Sequence, residues 1–262
     1  MQQVGKVIYY KDELNDEFSG SNVKPKTISP KYKYISRNPI YKFFSFVAYR
    51  LIATPIAVIY KLVRGVKFEN KQVLKKCRGK GYFVFANHTN HASDVLSPHL
   101  ISFPAKTYTV VASENMNVPG VWGATKMLGA LPLPSSLEGS RNFMNAMEKR
   151  LVQGHPVLIY PEAHIWPYYT KIRPYKSTAF RYPVKFQDPS YCFTTTYQKN
   201  GNKKKPKIVI YVDGPFYPNR ALEIKEQQED LRNRIYQCMV ERSKNSNFDY
   251  YEYIKKGEQT ND

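Results

Sequence analysis

The sequence predicts an α/β fold whose mixed, mostly parallel sheet is flanked by helices. Short apolar runs of strand length recur after residue 80, at 82–87, 107–113, 156–162, 191–197 and 206–214. Segments of helical spacing separate them: 138–153 places Phe143, Met147 and Leu151 on one face, and 221–243 carries a similar apolar stripe. Strands that alternate with helices are typical of parallel sheets, because each parallel connection needs a crossover.

The composition is that of a globular protein with a strongly basic balance. Hydrophobic residues make up 42% and charged residues 23% of the 262 positions, which excludes global disorder and fibrous repeats. Forty Lys and Arg against 21 Asp and Glu give a formal charge of +19. A charge of this size favours an acidic partner, such as nucleic acid, an anionic membrane or a phosphorylated substrate. We find no nucleic-acid-binding motif such as zinc-finger spacing, which argues against the first of these partners.

Changes in composition divide the chain into four segments. Residues 1–38 form a polar N-terminal arm that we expect to be loosely ordered, and residues 251–262 form a tail. Residues 39–80 combine the most apolar stretch of the chain with a basic linker, and we expect amphipathic, membrane-binding helices there. Residues 81–250 form the α/β domain. The sequence shows no secretory signal, and its three scattered cysteines suit a reducing compartment.

The apolar stretch 39–64 is expected to lie in one leaflet of a membrane. Lys42, Arg50 and Lys61 interrupt it, and Pro55 should kink a helix there. An arginine at the centre of a bilayer costs about 2.5–3.5 kcal/mol, so a simple spanning helix is disfavoured. A buried core helix is the alternative, although core helices rarely combine so many aromatic residues with cations.

The densest chemical signal is ANHTNHASD at 86–94, directly after a strand-like run. His88 and Asp94 can approach across a turn that opens a helix, and a carboxylate then orients the imidazole as a general base. A second signal, YPEAHIWP at 160–167, leaves Glu162 at the end of another strand. A metal site built from His88, His91, Asp94 and His99 is a weaker alternative, because no known ligand spacing is matched.

These motifs resemble those of the glycerolipid acyltransferase family. That family has an NHxSxxD block, a GxxxxxR block, an FPEGTRS block and a short VPV block. The corresponding segments here are ANHTNHASD at 86–94, LGALPLP at 128–134, IYPEAHIWP at 159–167 and FRYPVK at 180–185, in the same order. The resemblance covers roughly residues 40–215 and implies a glycerol-3-phosphate acyltransferase-like sheet preceded by membrane-associated helices.

The resemblance implies acyl transfer to the sn-2 hydroxyl of 1-acyl-sn-glycerol-3-phosphate, which yields phosphatidic acid. His88 is expected to be the base, Asp94 its orienting carboxylate, and Glu162 a residue that positions the acceptor or shapes its pocket. The acyl donor is a thioester of acyl carrier protein or coenzyme A, with no metal and no other cofactor. The resemblance places such an enzyme on the cytoplasmic face of an anionic membrane, as a peripheral or monotopic protein.

The sequence departs from the family in its phosphate-binding blocks. Ile165 stands near the place of the arginine in the third block, and Pro134 ends the second. The candidate replacements are Arg141, Arg173, Lys176 and Arg181. The acceptor is therefore the open part of the prediction. The alternatives are acyl transfer to another lysolipid or to a polyprenyl or glycan acceptor, a membrane-bound hydrolase, and a non-catalytic lipid-binding relative.

Overall fold

The computed structural model describes residues 5–18, 27–113 and 122–257. Its helices and strands are, in chain order, β1 (Val7–Tyr10), α1 (Pro39–Phe46), α2 (Thr54–Arg64), β2 (Lys67–Glu69), β3 (Tyr82–Ala86), α3 (His91–Ile101), β4 (Tyr108–Val111), α4 (Trp122–Met127), β5 (Ala130–Pro132), α5 (Leu137–Val152), β6 (Pro156–Ile159), α6 (Arg181–Phe186), β7 (Ser190–Gln198), β8 (Lys207–Phe216), α7 (Ile224–Ser243) and β9 (Glu252–Lys255). Each of the predicted strand-like runs contains a strand, and both predicted helices are present.

The main sheet has the strand order β2-β8-β7-β3-β6-β4-β5. All neighbouring strands pair in parallel except β7 and β8, which form an antiparallel pair. This arrangement confirms the predicted mixed, mostly parallel sheet. The central strand β3 is buried along its whole length between β6 and β7. Its carboxyl end therefore lies in the middle of one sheet edge, where ligands of α/β folds commonly bind.

Helices cover both faces of this sheet. Phe83 and Phe85 of β3 pack on one face into a core shared with α5 and α7. Tyr82 and Val84 point to the opposite face and pack near Ile101 of α3. Both faces are apolar because each is covered, which explains why β3 reads as a continuous apolar run and not as an alternating one.

Helices α1 and α2 are two parts of one apolar helix, Pro39–Arg64, joined by the π-helical turn Val47–Ala53. Asn38 caps its start, and Gly65 ends it in the left-handed conformation at φ 62°. The π-helical turn ends two residues before Pro55, which has no backbone N–H to donate.

This apolar helix leaves most of its surface exposed. Only 11% of its most apolar 18-residue stretch is buried. By length and composition it is long enough to cross a membrane, and its exposure fits a membrane-associated helix. The exposed apolar side chains are Ile40, Phe43, Phe44, Phe46, Leu51, Ile52, Ile56, Val58, Ile59, Leu62 and Val63. This exposure argues against the alternative of a buried core helix.

The N-terminal arm is more ordered than expected over its described residues. Strand β1 pairs in parallel with β9, which lies in the segment predicted as a tail. Tyr34 is buried against the main core, beside Phe143. Burial alternates along β1. The strand has only four residues, so this alternation was too short a signal to predict it. Residues 1–4 and 19–26 of the predicted arm and 258–262 of the predicted tail lie outside the described residues.

Candidate active site

The two sequence motifs meet at the carboxyl edge of the sheet. His88 follows β3, and Glu162 follows β6. Strands β3 and β6 are parallel neighbours in which Phe85 pairs with Ile159. The ends of parallel neighbours lie side by side, so segments 74 residues apart in sequence become adjacent: the His88 N–H donates to Glu162 Oε2 at 3.0 Å.

His88 and Asp94 form a hydrogen-bonded pair. His88 Nδ1 lies 2.8 Å from Asp94 Oδ2, which also accepts the N–H groups of Thr89 and Asn90, each at 2.9 Å. Asn90 caps α3 by accepting the N–H of Ser93. The loop between His88 and the helix therefore wraps around one carboxylate oxygen. His88 and Asp94 are six residues apart, one more than in the NHxSxxD block, and this wrapping accommodates the additional residue.

The His88 ring is fixed on a second side by Tyr160. The two rings stack with centroids 4.4 Å apart, and the Tyr160 hydroxyl donates to the backbone carbonyl of Asp94 at 2.7 Å. The His88 side chain is 23% exposed, whereas that of Asp94 is 3% exposed. Because Nδ1 faces Asp94, Nε2 is the nitrogen left to meet an incoming group. Sequence analysis did not select Tyr160, although it directly precedes the Pro-Glu pair.

Glu162 and Arg173 form a buried ion pair beneath this loop. Arg173 Nη2 lies 3.5 Å from Glu162 Oε2, and both side chains are at most 1% exposed. The Arg173 N–H also donates to Glu162 Oε1 at 3.1 Å. Burial raises the pKa of the Glu162 carboxyl, while Arg173 and the backbone N–H of His88 oppose that rise. Glu162 is thus held by groups on both sides of it.

The burial of this pair changes the roles expected for both residues. Arg173 was expected to be a candidate replacement for a motif arginine, but its guanidinium is buried, lies 4.9 Å from the Trp166 ring centroid and donates to the carbonyl of Glu13. Glu162 was expected to position the acceptor or to shape its pocket. In the structure its carboxylate instead positions the backbone of His88, so both residues support the loop from below.

The other predicted cations lie on the surface. Arg141 is in the first half of α5, Lys176 precedes the 3₁₀ turn Ser177–Phe180, and Arg181 begins α6. All three are exposed. Arg181 donates to the hydroxyl of Tyr182 at 3.0 Å. Ile165, near the place of the family arginine, is 4% exposed and so belongs to the core.

A cation that was not selected from the sequence lies close to the loop that joins β3 to α3 and carries His88. Arg64, half-buried at the end of α2, lies within hydrogen-bonding reach of Tyr60. The Tyr60 hydroxyl in turn donates to Asn90 Oδ1 at 3.3 Å. The charge of Arg64 also opposes the rise that burial causes in the pKa of Tyr168, whose N–H donates to the Thr89 carbonyl at 2.8 Å. The sequence analysis had counted Arg64 only among the basic residues beside the membrane segment.

The alternative metal site is not assembled in the described part of the chain. His99 is 8% exposed and stacks on Tyr49, with ring centroids 4.3 Å apart. The described residues instead place three possible ligands together elsewhere, at Cys192, Asp213 and Cys238. Arg242 already binds the two oxygens of Asp213, at 2.7 and 2.9 Å.

Fold and site together define an acyltransferase. A sequence model of the Acyltransferase family matches residues 65–217, more than half of the 262-residue chain, so the chain belongs to this family. Among solved structures, it is similar to the 1-acyl-sn-glycerophosphate (LPA) acyltransferase PlsC from Thermotoga maritima, with a TM-score of 0.53. The two share 15% identity over 77% of this chain and 86% of the other, a level that supports the fold. No curated protein matches the chain.

Proposed function

We propose that the chain is a membrane-associated O-acyltransferase that esterifies the sn-2 hydroxyl of 1-acyl-sn-glycerol-3-phosphate. The product is phosphatidic acid, and the acyl donor is a thioester of acyl carrier protein or coenzyme A. The observation that carries this proposal is the hydrogen-bonded His88–Asp94 pair at the carboxyl edge of the sheet. The similar fold of a 1-acyl-sn-glycerophosphate acyltransferase supports the choice of acceptor.

The proposed reaction is a direct transfer. His88 Nε2 takes the proton of the acceptor hydroxyl as its oxygen attacks the thioester carbonyl carbon. The carbon–sulfur bond then breaks, and the imidazolium returns the proton to the departing thiolate. Asp94 keeps Nδ1–H pointed at itself and stabilises the imidazolium while it exists. Glu162 and Tyr160 act through His88, by holding its backbone and its ring.

The phosphate of the acceptor requires a cation near the loop. Arg173 is buried, which leaves the exposed Arg141, Lys176 and Arg181 and the half-buried Arg64. Arg64 is the one whose contacts lead to the catalytic loop, through Tyr60 and Asn90. It also ends the exposed apolar face of α2, so an acceptor whose acyl chain lies along that face brings its phosphate to this arginine.

The membrane surface is the proposed place of the reaction. The exposed apolar helix Pro39–Arg64 would enter the leaflet that holds the acceptor, and the charge of +19 attracts anionic lipids and acidic acyl donors. Acyl carrier protein and coenzyme A are both acidic, and both are made on the cytoplasmic side. We therefore propose a peripheral or monotopic enzyme on the cytoplasmic face.

The test is an acyl-transfer assay in mixed micelles. Lysophosphatidic acid is compared with other lysophospholipids, each offered with acyl carrier protein and coenzyme A thioesters. We expect lysophosphatidic acid to be acylated by the parent protein and by His91→Ala, which changes the exposed first residue of α3, but not by His88→Ala. Turnover of a different lysolipid would keep the mechanism and change the acceptor. No turnover of any acceptor by folded protein would refute the enzyme and favour a lipid-binding relative.

A further inference from the structure

A cation-lined cavity opens at the amino end of the apolar helix. Its volume is about 490 Å³, and its lining residues are Lys33, Ile35, Ser36, Arg37, Asn38 and Lys126. Half of these residues are cations, and none carries a carboxylate. The helix has 26 residues and is roughly 39 Å long at about 1.5 Å per residue, with this cavity at one end and Arg64 at the other. The cavity is therefore separate from the candidate active site.

Lys126 is held in this cavity by aromatic rings. Its ammonium lies 5.3 Å from the ring centroid of Tyr32 and 5.5 Å from that of Tyr41, and it donates to the Lys33 carbonyl. Burial, followed by the charges of Arg150 and Lys33, lowers its pKa. The ammonium is thus fixed in position beside other cations, and no carboxylate among the residues that the structure describes forms an ion pair with it.

Further uncompensated polar groups lie behind the cavity. Arg150 packs 4.4 Å from the Tyr108 ring centroid, and its Nε has no hydrogen-bond partner among the described residues. The Tyr41 hydroxyl is likewise buried and without a partner there. None of the cavity cations forms an ion pair with a described carboxylate. Buried donors without acceptors are rare, so an anion is the ligand chemistry that this region lacks.

The exposed apolar side chains beside the cavity indicate where that anion comes from. Ile40, Phe43 and Phe44, on the first turns of the same helix, are 64%, 63% and 54% exposed. When these side chains enter a leaflet, the cavity lies at the depth of the lipid headgroups. We propose that the cavity binds the phosphate headgroup of an anionic membrane lipid and so fixes the amino end of the helix on the membrane. This site rests on the membrane association proposed above, but not on the acyl-transfer reaction.

Vesicle flotation tests the proposal with the full chain. The vesicles are phosphatidylcholine alone or phosphatidylcholine with phosphatidic acid. The cavity variant is Lys33→Gln, Arg37→Gln and Lys126→Gln; the control, with the same loss of charge, is Lys203→Gln, Lys204→Gln and Lys205→Gln, on the exposed loop between β7 and β8. We expect the cavity variant to lose at least about tenfold in affinity for the anionic vesicles, and the control to lose only a small part of that. An equal loss in both variants would overturn the proposal, because it would show diffuse attraction.

Two further arms keep the result unambiguous. The double variant Lys33→Gln and Arg37→Gln leaves the packed Lys126 intact, so a loss of selectivity there cannot come from unfolding. Competition with inorganic phosphate distinguishes the sources of the anion: we expect no displacement at concentrations where phosphatidic acid vesicles bind, and full displacement would overturn a lipid site. Acyl transfer is measured on the same proteins in detergent micelles. Selective vesicle binding without any transferase activity would refute the proposed function and leave this site standing.

Discussion

The two ends of the apolar helix meet two different kinds of polar region. At its carboxyl end, Tyr60 contacts a loop in which both carboxylates are satisfied: Asp94 accepts three donors and Glu162 faces Arg173 and two backbone N–H groups. At its amino end, Lys126 lies among cations and phenols, and no described carboxylate pairs with it.

The candidate active site is therefore preorganised, whereas the amino-end cavity has the charge of a site that binds an anion. The carboxylates of the candidate active site are already paired with donors in the protein alone, so the proposed geometry does not depend on a bound substrate. No carboxylate of the described residues pairs with the cations of the amino-end cavity, so the proposed counter-charge there is an external anion. The apolar helix thus has paired charges near its carboxyl end and cations without a described counter-charge at its amino end. Each prediction below tests one of these two regions.

Asp94→Asn should give the largest effect, because it removes the negative charge that His88 Nδ1 and the N–H groups of Thr89 and Asn90 contact. We expect kcat to fall by about 10²–10⁴-fold, since the imidazole loses both its orientation and the stabilisation of its protonated form. Steady-state acyl transfer to lysophosphatidic acid measures the change. Asp230→Asn, a surface carboxylate paired with Arg234, serves as the control and should leave kcat unchanged. Activity of Asp94→Asn within a few-fold of the parent would contradict the role of the pair.

Glu162→Gln tests the buried support of the same loop. Removing one partner leaves the Arg173 guanidinium buried without a counter-charge, so we expect a loss of about 3–5 kcal/mol in the free energy of unfolding. Urea denaturation measures this loss.

The double variant Glu162→Gln and Arg173→Met should recover part of that stability, because no charge is then left buried. Glu241→Gln breaks the exposed pair with Lys244 and should change stability by less than about 1 kcal/mol. If Glu162→Gln were as mild as this surface control, the ion pair would not be the support of the loop.

The sequence predicted the fold and the contact between His88 and Asp94 because both depend on local patterns. The apolar run of β3 and the His88–Asp94 spacing are local, and parallel pairing places Glu162 beside them. The burial of Arg173 was not predictable, since it depends on Trp166 and on a carbonyl of the N-terminal arm. The approach of Arg64 to the loop was also missed, because it depends on how α2 packs against α3. Long-range packing of charges leaves no periodic signal in a sequence.

Arg64→Gln tests whether the carboxyl end of the apolar helix takes part in acceptor binding. A charge-assisted contact is worth about 1.5–3 kcal/mol, so we expect KM for lysophosphatidic acid to rise by about tenfold or more. KM for an uncharged acceptor such as monoacylglycerol should stay nearly constant, since it offers no phosphate. Lys61→Gln, three residues earlier and packed on Phe68, is the matched control. Equal changes in the two variants, or in the two acceptors, would remove Arg64 from the phosphate site.

Lys106 offers the most sensitive measure of the uncompensated charge behind the cavity. Its ammonium donates to Ser45 Oγ at 2.9 Å, and burial, with the charges of Arg150 and Arg50, lowers its pKa from 10.5 to about 7. Between these two values the unfolded chain holds a proton that the folded chain lacks. The free energy of unfolding should therefore rise with pH over this window, by up to about 1.4 kcal/mol per pH unit from this residue.

Urea denaturation at pH 7, 8 and 9 measures that slope in the parent, in Lys106→Met and in Arg150→Gln. We expect Lys106→Met to lose this part of the slope, because methionine carries no proton to exchange. Arg150→Gln should reduce the slope by a smaller amount, since it removes one of the charges that lower the pKa of Lys106. If all three proteins shared one slope, Lys106 would be charged in the folded state, and the cations at this end of the helix would already be balanced without an external anion.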